Sequence, residues 1–307
     1  MSEQPLVSIV TPAYNQAAFL ADTLDSVKQQ TYVRLEHLVL DDGSTDETRE
    51  VLKRYEGTYA MQWRSKSNSG QSDTINQGFR QTRGDIVAWL NSDDVYYSRT
   101  AVADAVAAFD RHPAAAIMLG DLALITDDNR VFRLMPALRY LSRRRLFCSC
   151  PSQPSMFMRR WVVEQYPLLT RLRYRMDYEY WLRIATEHPQ RSLWAYVPKV
   201  LGAFRVHAQS NTVAAASGTY EELRQIHAQY FGRGSGWCEP AGRRLVGVYQ
   251  RLRGLATLNR LYEAELAFPG RLPSKEKLWW WQLGLAMGAF AGGNSLTPRV
   301  YLDTLNF

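Results

Sequence analysis

Two adjacent carboxylates, Asp93 and Asp94, follow the apolar run Ile86-Val87-Ala88-Trp89-Leu90 with only Asn91 and Ser92 between. Such a run reads as a buried strand, and open α/β sheets bind ligands outside the carboxyl ends of their strands. Hard oxygen ligands at that place suit magnesium or manganese, ions that commonly also reach phosphate oxygens. The plain alternative is an acidic turn leading into a helix that begins near Thr100. Two other strand-like runs also end in polar groups: Val7-Ser8-Ile9-Val10 before Thr11 to Asn15, and Leu35 to Leu40 before Asp41-Asp42. In a parallel sheet these ends share one edge, so residues far apart in sequence converge on one crevice.

The elements needed to position them are legible. Thr11-Pro12 is expected to stop the first strand, because proline cannot donate to a ladder. Phe19, Leu20, Leu24 and Val27 recur at helical spacing, and Ser44 with Glu47 forms a capping box for a helix carrying Val51, Leu52 and Tyr55. Tyr59 to Trp63 reads as a third strand, Ser65 to Ser72 as a polar loop, and Ile75 with Phe79 as a further helix that Gly84 breaks. Strand–helix alternation implies βαβ units and a mostly parallel sheet flanked by helices. No dinucleotide glycine fingerprint or phosphate loop is present; Gly232, Gly234 and Gly236 follow no strand and read as a linker.

The 307 residues suffice for one large α/β domain with an appendage. A formal charge of +7 and a pI near 9.3 favour acidic partners or an anionic surface, without any recognised nucleic-acid motif. Cys148, Cys150 and Cys238 form no paired framework or zinc spacing, as expected in a reducing cytosol. The polar start Met1 to Pro5 resembles no signal peptide, and no apolar run is long enough to span a bilayer. A cytoplasmic protein is expected, with peripheral contact at the inner face of a membrane left open.

Val7 to Asn15, Leu40-Asp41-Asp42-Gly43-Ser44-Thr45-Asp46 and Leu90-Asn91-Ser92-Asp93-Asp94, in that order, resemble the motifs of family 2 glycosyltransferases. The resemblance runs from Pro5 to about Thr212. It implies a GT-A fold: a nucleotide-binding half over about 1–97 and an acceptor half over about 98–215, with 216–307 left as a helical extension. It also implies inverting transfer of a sugar from a nucleotide diphosphate, a UDP-sugar by expectation, to a glycan, lipid-linked or protein acceptor. Thr11, Ala13, Tyr14 and Asp42 then surround the nucleoside, where a carboxylate accepts the N3–H of uracil and an aromatic ring stacks. Asn68, Ser69 and Gly70 resemble the loop that closes over the nucleotide. Asp93 and Asp94 match the family's DxD-type element, with Asn91 where many members have a third aspartate. Asp94 is the expected ligand of Mn2+ or Mg2+ and Asp93 its neighbour on the donor, with the swapped assignment left open.

In the second half, Asp121 to Leu134 reads as a hairpin turning at Asp127-Asp128-Asn129, and Gln153 to Arg160 resembles the strand beneath the acceptor site. Tyr174 to Arg183 resembles the segment that carries the family's catalytic base. Asp177 matches the base, with Glu179 the nearby alternative and a helix N-cap the bland reading. Arg183 could pair with the diphosphate or with Glu179 at helical spacing, whereas Trp181 and Leu182 are expected in the core. Arg205 and His207, after a strand over Val200 to Phe204, resemble a pair that approaches the diphosphate and metal; imidazole is a reasonable manganese ligand. The run Arg139, Arg143, Arg144 and Arg145 reads as a solvated helix face or a phosphate contact.

Beyond Thr212 the resemblance fades. Tyr220 to Phe231 and Arg243 to Phe268 show helical apolar spacing, and Trp279-Trp280-Trp281 beside Lys275 and Lys277 suit either an interfacial anchor or a packed helix. Two other functions compete: a sugar nucleotidyltransferase, which would need a glycine-rich basic loop after the first strand, and an inactive nucleotide-sugar or glycan-binding scaffold, which Asn91 alone favours.

Overall fold

A computed structural model describes residues 4–147, 151, 153–210, 216–232 and 252–290. The first third of the chain alternates as its periodicity predicts: β1 (Val7–Ala13), α1 (Ala17–Lys28), β2 (Leu35–Asp41), α2 (Thr48–Tyr55), β3 (Met61–Ser65), α3 (Gln71–Gln81) and β4 (Ile86–Trp89). These four strands lie in the order β3-β2-β1-β4, all parallel. Their buried faces make a near-continuous apolar layer, as a sheet covered on both sides requires.

Beyond β4 the sheet is mixed. It continues through β8 (Met156–Arg159), β6 (Ile117–Ile125) and β9 (Trp194–Arg205) to the two-residue β5 (Val95–Tyr96), with β7 (Val131–Met135) hairpinned onto β6. β8 runs against both its neighbours, while β6 and β9 are parallel to each other. Helices α4 (Ala101–Arg111), α5 (Arg143–Leu146), α6 (Arg160–Gln165) and α7 (Met176–Glu187) complete this half. The ring of Trp89 on β4 stacks on Trp181 of α7, centroids 5.6 Å apart and planes within 5°, with Tyr180 edge-on. Trp181 is wholly buried, so it belongs to the core as expected. This stack fixes the strand leading to Asn91–Asp94 against the helix bearing Asp177.

Three local expectations are corrected. β1 runs through Pro12 to Ala13, because its pairing with β4 ends at Val10, and Ala13 still accepts the Asp42 N–H at 2.8 Å. The missing proline donor therefore costs no ladder bond. The Ser44–Glu47 capping box does not form. Asp46 Oδ1 accepts the Thr48 N–H at 3.0 Å, while Ser44 Oγ accepts the Asn15 N–H at 2.9 Å and ties two strand-end loops together. β3 begins at Met61 and not at Tyr59, whose hydroxyl bonds His37.

The described residues after 215 pack onto the same body. Helix α8 (Ala216–Phe231) contributes Leu223 and Ile226 to the largest core cluster. The helix expected from Arg243 to Phe268 is interrupted: 252–256 are helical, and Leu258–Leu261 form a 3-10 turn. Residues 243–251 of that expected helix lie outside the described residues, as do Cys148, Cys150 and Cys238. Arg260 Nη1 donates to the buried Asp121 at 2.5 Å, and Tyr97 donates to the Leu261 carbonyl at 2.7 Å. In α9 (Lys275–Phe290), Trp281 packs against the core while Trp279 and Trp280 remain exposed. Among the described residues no helix is long and apolar enough to cross a membrane.

Candidate active site

The crevice starts at the carboxyl ends of β1 and β2. Asp42, almost fully buried, accepts the Ser69 N–H on Oδ1 and the Gly70 N–H on Oδ2, each at 2.9 Å, and Lys66 pairs with Oδ1. The expected nucleotide loop is thus pinned to the expected nucleoside carboxylate. Gly70 sits at φ +89°, a conformation that costs glycine nothing, and the exposed Asn68 accepts the Gly70 N–H at 3.1 Å. Tyr14 is half exposed beside Ala13, as a stacking ring requires. Lys66 was not anticipated; nothing in its spacing sets it apart from other loop lysines.

Thr11 departs from its expected place against the nucleoside. It is fully buried, its hydroxyl 2.9 Å from His37 Nε2, whose Nδ1 lies 2.7 Å from the Tyr59 hydroxyl. Burial pushes the His37 pKa down from 6.5 to about 3. In that window the unfolded chain binds a proton that the fold excludes, so stability falls as pH drops below 6.5. This residue should cost about 2 kcal/mol between pH 6.5 and 5. Urea unfolding of wild type and His37→Gln at pH 7 and 5 checks this: the variant's pH dependence should be shallower by that amount, and equal slopes would mean that His37 protonates in the fold.

The Asn91–Asp94 turn is positioned by β5, which pairs antiparallel with β9 so that Val95 faces Ala203. That register sets Asp93 and Asp94 against Arg205 to His207. Asp94 is completely buried, with Oδ1 accepting the Arg205 N–H at 3.0 Å and Oδ2 taking Asn91 Nδ2 at 3.3 Å. Burial, then the charge of Asp93, holds its carboxyl well above the usual carboxylate range. Asp93 keeps 18% of its side chain exposed and lies 3.0 Å from His207 Nε2. The expected division is therefore reversed in accessibility: the oxygen open to the crevice belongs to Asp93. Arg205, expected near the diphosphate, is enclosed. Its guanidinium bonds Asp22 at 3.0 Å, Asn129 Oδ1 at 2.6 Å and the Asp93 carbonyl at 2.8 Å, so it holds the turn from inside. Asp22 carried no motif, and Asn129 was legible only as a turn residue.

Asp177 occupies the second position of α7 and is partly exposed; the N-cap is Arg175, so Asp177 is not the cap. Its Oδ1 accepts the N–H of Tyr178 at 2.7 Å. Glu179, the alternative, is buried and held by Arg183 at 3.1 Å and the Tyr230 hydroxyl at 2.6 Å. Arg183 donates also to the Pro167 carbonyl at 2.8 Å, so its helical-spacing reading holds and its guanidinium is committed within the protein.

Helix α3 joins the three groups. Gln71 donates to Asn91 Oδ1 at 2.9 Å, and the Ser72 hydroxyl lies 2.7 Å from Met176 Sδ and 3.2 Å from the Leu172 carbonyl. The loop on Asp42, the Asp93 turn and the start of α7 therefore meet at one helix end. Among the described residues no group of three His, Cys, Asp or Glu side chains could enclose a metal. Asp93 with His207 supplies one oxygen and one nitrogen, a donor set that fits Mn2+ when phosphate oxygens and water complete the shell. His207 Nδ1 is buried without a hydrogen-bond partner, so the ring lacks the outer support usual for a ligating histidine.

The family model for glycosyl transferase family 2 matches residues 8–164, about half of the chain. An uncharacterised glycosyltransferase of Rickettsia prowazekii is 39% identical over 93 residues, which are 30% of this chain and 29% of that protein. The chain thus spans less than a third of the length of the rickettsial relatives it matches. Among solved structures, a mannosyltransferase from Pyrobaculum calidifontis in complex with GDP-Man and Mn2+ superimposes with a TM-score of 0.58 at 18% identity, covering 99% of this chain and 80% of that one. S. aureus TarS 1–349 in complex with UDP-GlcNAc gives 0.56 at 15% identity, covering 97% and 92%. At these identities the likeness speaks for the fold, the curled mixed sheet of GT-A proteins. The chain belongs to glycosyl transferase family 2 and has the GT-A fold.

Proposed function

We propose that the protein moves a sugar, with inversion, from a UDP-sugar to a hydroxyl of a glycan or lipid-linked acceptor, with Asp177 as the base. The observation that carries this is the meeting of three groups at the start of α3: the loop held by Asp42, the Asp93 turn and the α7 terminus bearing the partly exposed Asp177. Tyr14 offers a face to the base, and Asp42 Oδ2, engaged once by Gly70, keeps a second acceptor direction for a base N–H. Asp93 and His207 would hold Mn2+ or Mg2+. When bound, that ion neutralises charge on the departing diphosphate.

A sugar hydroxyl is a poor nucleophile near neutral pH. Asp177 takes its proton as the new bond to the anomeric carbon forms, on the face opposite the leaving diphosphate. Burial of Glu179 leaves Asp177 as the accessible carboxylate of this turn. The Trp89–Trp181 stack and the Ser72–Met176 contact hold it rigidly, as a reacting pair about 3 Å apart demands.

Thermal shift and nucleotide release with UDP-glucose, UDP-GlcNAc and GDP-mannose, each with and without Mn2+, test the reading. A UDP-sugar at a hundredfold excess over its Kd should stabilise the fold by about 2.7 kcal/mol. Stabilisation by GDP-mannose alone would replace the uridine assignment with guanosine; no response to any donor would overturn the proposal.

A further inference from the structure

Helix α7 carries Asp177 in its first turn yet has no capping side chain of its own. The donors before it are satisfied from elsewhere. Glu222, on α8, accepts the Arg173 N–H on Oε1 at 2.8 Å and the Tyr174 and Arg175 N–H groups on Oε2 at 2.9 and 2.8 Å. Three consecutive amides on one carboxylate fix the backbone over the residues leading into the helix. A negative charge at a helix N-terminus is also favoured by the macrodipole.

The contact is not isolated. Gly218, Glu222, Ile226 and Tyr230 recur every four residues and so lie along one stripe of α8. A Cβ on Gly218 would come within 2.5 Å of the Tyr174 ring, so that position accommodates only close approach. Ile226 is buried in the cluster that contains Met176 and Tyr178, and Tyr230 donates to Glu179 at 2.6 Å. The neighbouring His227 Nε2 lies 3.0 Å from the Tyr178 hydroxyl. One face of α8 thus grips the segment from Arg173 to Glu179 on both sides of Asp177.

We infer that Glu222 is a positioning residue for sugar transfer: from another helix it holds the three amides that lead into α7 and so sets where the Asp177 carboxylate stands. This rests on the reading of Asp177 as the base. It also makes 216–231, the segment where the family resemblance has faded, part of the catalytic apparatus. A displacement of about 1 Å at a reacting group costs on the order of 10²-fold. The loss should fall on turnover, because Glu222 touches none of the groups assigned to the donor.

The test uses the full chain, with whichever of UDP-glucose, UDP-GlcNAc or GDP-mannose it turns over in Mn2+. Glu222→Ala should lower kcat by about 10–100-fold with the donor KM changed less than about twofold. Glu222→Gln, which keeps an amide oxygen as acceptor, should fall between. Hydrogen exchange, read by mass spectrometry without any substrate, should show the amides of 173–175 exchanging faster in the alanine variant and partly protected in the glutamine one. Should the alanine variant not fold, Glu222→Asp, whose carboxylate sits one methylene back, should give the same kcat-selective loss. Wild-type kcat in a variant whose 173–175 amides are exposed would overturn the inference, as would a loss carried by the donor KM. Failure of the underlying reading is separate: Asp177→Asn would then retain transfer, whatever the Glu222 variants do.

Discussion

Asp177→Asn should abolish measurable sugar transfer, a fall of about 10²–10⁴-fold, while donor binding stays as in wild type. The substitution keeps the shape of the side chain and its acceptor oxygen, so the 2.7 Å bond from the Tyr178 N–H survives and the turn keeps its form. What disappears is a group able to take a proton. Glu179 cannot replace it, because its carboxylate is buried and held by both Arg183 and Tyr230. The deciding pair of measurements is nucleotide release and the thermal shift given by the same nucleotide sugar. An active variant would return the search for the base to the other polar groups of the crevice.

The second large effect divides two adjacent aspartates. Asp93→Asn should weaken Mn2+ affinity in the presence of UDP by at least about 100-fold, since even outer-shell changes at metal sites cost 10–100-fold. Asp94→Asn should keep the Mn2+ response and instead lower stability by about 1–3 kcal/mol. Its amide would leave Arg205 N–H an acceptor but turn a second NH2 toward Asn91 Nδ2, a donor facing a donor in a buried place. Manganese titration by calorimetry and urea unfolding read the two effects separately. If Asp94→Asn lost the metal and Asp93→Asn kept it, the assignment drawn from their burial would be wrong.

The contrast between these neighbours shows where local pattern stops being informative. Alternation of apolar strands and helices placed Thr11–Asn15, Asp41-Asp42 and Asn91–Asp94 at one sheet edge, and the strands do end there in parallel order. The hairpin turning at Asn129 was also legible from turn residues within a dozen positions, and the helix bearing Asp177 from the resemblance of its segment to the family's. Asp93 and Asp94 are chemically identical and adjacent, and neither propensity nor period separates them. The β5–β9 register does, by placing the Arg205 N–H on one carboxylate and His207 on the other. Arg205 itself illustrates the limit: a charged residue after a strand suggests a ligand contact, yet Asp22 and Asn129 close around it from over 70 residues away.

Sequence alone determined that acidic strand ends should gather at one edge, since hydrophobic periodicity dictates strands and helices locally and parallel βαβ connections leave all carboxyl ends on one side. Which carboxylate faces the crevice, which is sealed by a backbone amide, and which helix holds the backbone leading to Asp177 were decided only by tertiary packing. Burial and hydrogen-bond satisfaction are set by partners such as Arg205 and Glu222, whose distance along the chain leaves no local trace.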